Sequence, residues 1–78
     1  MDIRHYNEWT QIGLNILHYR KEQRLTQQQL SDLCGENGPS RNYLQRIETG
    51  NTSCTLDTLM DIAKALNIPL YKLFVFKD

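Results

Sequence analysis

The chain has 78 residues, with nine Lys and Arg against nine Asp and Glu, so its net charge is zero with the histidines neutral. That length fits one domain with a small core. An apolar content of 40% excludes a disordered chain, and zero net charge argues against a non-specific polyanion binder.

No apolar run is long enough to span a bilayer, and the opening "MDIRHYNEWT" lacks a signal-peptide core. The expectation is a cytoplasmic protein with no membrane association. Cys34 and Cys54 are too few for a disulfide framework and lack CxxC spacing. Both read as small buried apolar side chains. His5 and His18 have no companions at ligand spacing, so neither metal nor cofactor is expected.

Taken in order, the first element is a helix over about Asn7 to Gln23, with Ile12, Ile16 and Tyr19 inward, Leu17 beside them and Trp9 covering one end. A second helix begins at "LTQQQL". Thr26 is its N-cap, Gln29 completes a capping box, and Leu25 and Leu30 are placed for a hydrophobic staple. Leu30, Leu33 and Cys34 are its expected apolar face, and Gly35 suits a left-handed end. The run Glu36-Asn37-Gly38-Pro39 then breaks the chain.

A third helix starts abruptly after Ser40, its N-cap. Tyr43, Leu44 and Ile47 fall on one side of it, and Arg41, Asn42, Gln45, Arg46 and Thr49 on the other. Gly50 ends it. A fourth helix follows Thr55, with Leu56, Leu59, Ile62, Ala63 and Leu66 inward, and stops at Asn67-Ile68-Pro69. A short fifth helix over Leu70 to Phe74 would pack Leu70, Leu73 and Phe74. Strand alternation is suggested only by the closing "LFVFKD".

The charge is zero in sum but uneven along the chain. Residues 12–24 carry a local excess of two positives, 25–39 two negatives, and 40–53 one positive. A nucleic-acid surface would use the two basic stretches and turn the acidic one away. Two short helices joined by a glycine-containing turn suggest a helix-turn-helix, with a motif over about 26–49. In that motif the second helix presents its first residues to base edges. Arg pairs bidentately with guanine and Asn with adenine, which gives Arg41 and Asn42 a purpose.

The blocks "YRKEQRLTQQQLSDLCG" and "SRNYLQRIETGNTSCTLDTLMDIAKALNIPLYKLF" together resemble the lambda-repressor and Cro-like, or XRE, helix-turn-helix family over about Ile12 to Phe74. The resemblance implies an all-α, five-helix lambda-repressor-like bundle, a single DNA-binding domain over 1–78. It implies base reading by Arg41, Asn42 and Arg46, with Gln45 beside them. It places Gln27 at a position that touches phosphate and sometimes a base, and the loop Asn51-Thr52-Ser53 on the DNA backbone, where Arg24 and Ser40 are further candidates. It makes Arg20 and Glu48 a structural ion pair between the first and third helices. The turn from Gly35 to Ser40 is about three residues longer than the family's and is expected to be a surface excursion.

The expected function is a transcriptional regulator, a repressor, that binds a double-stranded DNA operator as a homodimer. Leu73, Phe74, Val75 and Phe76 are the candidate dimer surface. The sequence does not define a small-molecule effector. A rival reading is a protein-interaction or antitoxin-like module with weak or no DNA binding. Enzymatic activity is not expected, for lack of a nucleophile–base pair, paired carboxylates or a phosphate-cradling glycine loop.

Overall fold

The computed structural model describes residues 5–76. Four α-helices follow one another: α1 (Tyr6–Glu22), α2 (Gln27–Cys34), α3 (Arg41–Glu48) and α4 (Leu56–Ala65). The expected fifth helix is present over Leu70–Phe74, but as a 3-10 helix. No strand forms among the described residues, so Leu73 to Phe76 do not realise the alternation suggested by "LFVFKD", whose Lys77 and Asp78 lie outside the described residues.

The helices start where side-chain oxygens cap the first turn. Thr26 Oγ1 accepts from the Gln29 N–H, while the Gln29 side chain accepts from the Thr26 N–H. Ser40 caps α3 by accepting from Tyr43 N–H, and Thr55 caps α4 by accepting from Thr58 N–H. Each cap is worth about 1 kcal/mol.

Three helices end in one pattern. The chain turns left-handed at Arg24 (φ 59°), Gly50 (φ 74°) and Asn67 (φ 57°). The next N–H then reaches back: Leu25 to Arg20 C=O, Asn51 to Arg46 C=O and Ile68 to Ala63 C=O. This paired bonding satisfies carbonyls the helix would otherwise leave open. Glycine and asparagine tolerate the position, whereas Arg24 occupies it against the preference of a side chain bearing Cβ.

The core is Ile12 and Ile16 of α1, Leu30 of α2, Leu44 and Ile47 of α3, Leu59, Ile62 and Ala63 of α4, with Leu66 and Leu73. Helix α1 packs on α3 and the 3-10 helix, and α2 packs on α3 and α4. Gly13 makes the first contact possible. A Cβ there would collide with the carbonyl oxygens of Ile47 and Glu48, so only glycine lets α1 approach the end of α3 this closely.

Three expected core residues face solvent. Leu33 is 57% exposed. Helix α2 buries the side that holds Leu30, Cys34, Gln27 and Ser31, and Leu33 lies about 60° to the other side of Leu30. Leu56 is 53% exposed. It is the first residue of α4, where the backward tilt of a helical side chain carries it away from the Leu59 layer. Phe74 is 41% exposed because a 3-10 helix eclipses residues three apart. Leu70 and Leu73 stack inward, and Tyr71 and Phe74 stack outward.

The long turn is only half an excursion. Glu36 and Asn37 are exposed, but Pro39 is buried. Ser31 Oγ donates to Pro39 C=O at 2.8 Å, and Gly38 lies against Cys34 so closely that a Cβ would collide with it. Pro39 therefore enters the fold immediately before the cap of α3.

Candidate nucleic-acid interface

Helix α3 begins without a lead-in, because Pro39 is buried and Ser40 caps the first turn. Leu44 and Ile47 hold its back to the core at 0% and 1% exposure. Arg41, Asn42, Gln45 and Arg46 consequently all stand on the exposed side, as the helical pattern required. Neither Arg41 nor Arg46 has an ion-pair partner among the described residues. Their guanidinium groups are available to an anionic ligand.

Two clefts open at this face. One, of about 260 Å3, is lined by Gln27, Arg41, Asn42 and Gln45. The other, of about 660 Å3, is lined by Arg20, Thr26, Gln27, Gln28 and Arg41. The start of α2 and the start of α3 thus line one open surface, on which Arg41 carries a positive charge unpaired among the described residues. Asp32 and Glu36, the acidic stretch, do not line either cleft.

The ion pair adjoins the larger cleft, which Arg20 lines. Arg20 Nε donates to Glu48 Oε2 at 2.7 Å, and Arg20 Nη2 to Glu48 Oε1 at 3.0 Å. Both residues are buried, at 8% and 5% exposure. Arg20 Nη1 also donates to Leu25 C=O at 2.8 Å, so the guanidinium fixes the α1–α2 corner as well.

The remaining candidates differ in how far the fold already occupies them. Gln27 is half-buried, and its Nε2 donates to Glu48 Oε1 at 3.1 Å. Ser40 is exposed, and its Oγ accepts as the cap of α3. Arg24 is exposed at its left-handed corner. In the loop after α3, Asn51 Nδ2 donates to Thr49 Oγ1 at 2.9 Å, and Thr52 Oγ1 donates to Ser53 C=O at 3.0 Å. The Tyr43 hydroxyl donates to Ser53 C=O at 3.3 Å and pins this loop to α3. Burial, more than the nearby Cys54, raises the Tyr43 pKa, which keeps the hydroxyl a donor.

The helix-turn-helix family model matches residues 16–73, well over half of the chain. This chain belongs to the helix-turn-helix family. Among curated relatives, the control protein C.SmaI of Serratia marcescens is 37% identical over 62 residues, covering 80% of this chain and 70% of that protein. Among solved structures, the restriction-modification controller protein C.AhdI of Aeromonas hydrophila superposes with a TM-score of 0.82 at 28% identity. That match covers 90% of this chain and 97% of the other. The XRE-type assignment reached from the motif blocks therefore holds, and this helix-turn-helix protein is a DNA-binding transcriptional regulator.

Two features had no counterpart in the sequence reading, one at the interface and one at the C-terminal end. The bond from Gln27 to Glu48 joins α2 to α3, residues 21 apart in the chain. Asn15 of α1 donates from Nδ2 to Leu73 C=O at 2.9 Å and Val75 C=O at 3.0 Å, holding the C-terminal segment down. A polar residue inside an apolar helical stripe was the available signal for Asn15. The dimer expectation also needs one correction: Leu73 is fully buried in the core and belongs to no surface. The exposed apolar group at this end is Tyr71, Phe74, Val75 and Phe76, at 64%, 41%, 56% and 39%. Among the described residues, no helix is long and apolar enough to cross a membrane.

Proposed function

We propose that the protein reads an operator with α3 as a homodimer in the cytoplasm, and controls transcription there as a repressor. Arg41, Asn42, Gln45 and Arg46 contact base edges. Arg24, Ser40 and the loop Asn51-Thr52-Ser53 lie along phosphates, which fix position without reading sequence. The observation that carries this is the abrupt start of α3, with Arg41 and Asn42 exposed in its first turn beside a polar cleft. C.AhdI is a restriction-modification controller protein, which supports the reading that the genes regulated here belong to such a system. The side chains gathered at this face serve recognition and not catalysis.

A dimer follows from the size of the reader. One recognition helix spans only a few base pairs, and two-fold proteins read paired half-sites about one helical turn apart. Tyr71, Phe74, Val75 and Phe76 supply the exposed apolar surface for that contact.

The test is selection of bound sites from random duplexes at moderate salt, followed by a panel of single-base variants at two salt concentrations. Selected sites should carry two related half-sites. Arg41→Ala or Asn42→Ala should flatten preference at one or two positions, with about 1–3 kcal/mol of discrimination lost per bidentate contact. Uniform weakening of the whole panel by Arg41→Ala would refute base reading by α3. Absence of duplex binding by the wild type at low salt would replace this function with a protein-interaction module.

A further inference from the structure

Asn15 is half-buried on α1, between the exposed Leu14 and the buried Ile16. Its side-chain amide has two N–H donors. Both are taken by one segment: Leu73 C=O at 2.9 Å and Val75 C=O at 3.0 Å, 58 and 60 residues further along the chain. No backbone N–H among the described residues reaches either carbonyl, so Asn15 supplies what the end of the 3-10 helix leaves open. The two acceptors differ in place. Leu73 is fully buried in the core, whereas Val75 is the exposed, extended residue that follows the helix, at φ −84° and ψ 105°.

The clasp therefore carries order from the core out to the exposed end of the described chain. It holds Val75 against α1 on the side of Leu14, which is 47% exposed. Leu14, Asn15 and Val75 line one groove of about 330 Å3. Phe74 and Phe76 stand exposed on either side of Val75 in sequence. One patch thus holds both exposed phenyl rings and a groove with two apolar walls. A two-fold contact sets a patch against its own copy, so that patch has to supply both halves of the fit.

We propose that Asn15 is a positioning residue for self-association: it fastens the C-terminal segment to α1, so that Leu14 and Val75 form a groove that receives an aromatic side chain from a second copy of this chain. This rests on the homodimer reading and extends its surface from the C-terminal segment onto α1. A segment fixed before it meets its partner has less freedom to lose on binding. Without the clasp, Leu73 stays anchored in the core, but Val75 and Phe76 lose their fixed direction.

The experiment is sedimentation equilibrium of the full chain, at a temperature where circular dichroism shows each variant folded. Asn15→Ala should raise the dimer dissociation constant about 5- to 100-fold, the worth of two hydrogen bonds. Leu14→Ala should raise it about tenfold by removing an apolar wall. Gln11→Ala lines the same groove without a bond to the segment, and should change it by less than about twofold. The double variant Asn15→Ala with Phe76→Ala should lose less than the product of the two single factors, because Phe76 contributes only while the clasp directs it. Binding of Asn15→Ala to a duplex with one half-site should match wild type, since Asn15 lines neither cleft of the reading surface.

An unchanged dissociation constant in Asn15→Ala would overturn the proposal, as would losses that multiply in the double variant. Equal weakening by Gln11→Ala would overturn it too, in favour of a groove that needs no clasp. A matching loss of half-site binding would mark damage to the whole fold and would also count against it. If Asn15→Ala does not fold, Asn15→Asp keeps the shape, loses both donors and is measured in its place, with the same expected direction. Failure of the underlying reading is separately visible: the wild type would then sediment as a monomer, whereas failure of this proposal alone leaves a dimeric wild type and shows only in the variants.

Discussion

Replacing Glu48 with alanine leaves Arg20 buried at 8% exposure with its carboxylate partner gone. Three hydrogen bonds are lost at once, at 2.7, 3.0 and 3.1 Å. Only the Arg20 Nη1 bond to Leu25 C=O remains. Breaking one side of a buried pair costs about 3–5 kcal/mol. A domain of this length has a total stability of roughly 4–12 kcal/mol. The change therefore consumes a large share of it. At about 4–8 °C per kcal/mol for a small domain, the melting temperature should fall by at least about 12 °C. Thermal denaturation followed by circular dichroism reads the fall. A companion variant with Arg20→Met and Glu48→Leu removes both charges, and should recover much of the loss because no uncompensated charge stays inside. A fall of only two or three degrees for Glu48→Ala would show that water screens the pair in solution, and the reasoning from burial would be wrong.

Four further outcomes are expected. Leu30→Ala should cost about 2–5 kcal/mol in chemical denaturation, whereas Leu33→Ala, at an exposed position, should change stability by less than about 0.5 kcal/mol; equal costs would place Leu33 in the core after all. Arg24→Gly should raise stability by up to about 1 kcal/mol by relieving the left-handed corner, and should lower the salt slope of DNA binding by about one if Arg24 touches a phosphate; a loss of stability would show the corner unstrained. Burial raises the pKa of both Cys34 and Cys54 from 9.0 to about 11. Alkylation at pH 8 should therefore be slower than for an unfolded peptide, and stability should decline as pH rises from about 9 to 11, since the unfolded chain releases those protons first; rapid labelling of the folded protein at pH 8 would contradict this. A chain ending after Leu73 keeps the buried core residue but lacks Phe74, Val75 and Phe76, so sedimentation should find it folded and monomeric; a folded, dimeric truncation would move the contact to Tyr6 and Trp9.

Much of this protein was decided locally, and the sequence displayed it. The capping box at Thr26 and Gln29, the caps at Ser40 and Thr55, and the polar side of α3 all depend on residues within one or two turns of each other. Helical periodicity and cap chemistry act at that range, so the elements and the exposed set Arg41, Asn42, Gln45 and Arg46 could be placed in advance. The Arg20–Glu48 pair, 28 residues apart, was reached through the family resemblance and not through spacing. What only the tertiary structure decided concerns which neighbour each helix meets. Leu33, Leu56 and Phe74 carry apolar side chains, yet their exposure was set by where α2, α4 and the 3-10 helix find their partners. Gly13 reads as a weak point in a helix until α1 is seen against the carbonyls ending α3. Arg24 gave no sign of its left-handed backbone, because the bonds that hold it there depend on how the chain leaves α1. The Gln27 amide and the Asn15 clasp belong to the same class: each is a polar side chain whose partner is contributed by a distant segment, and burial alone makes that partner obligatory.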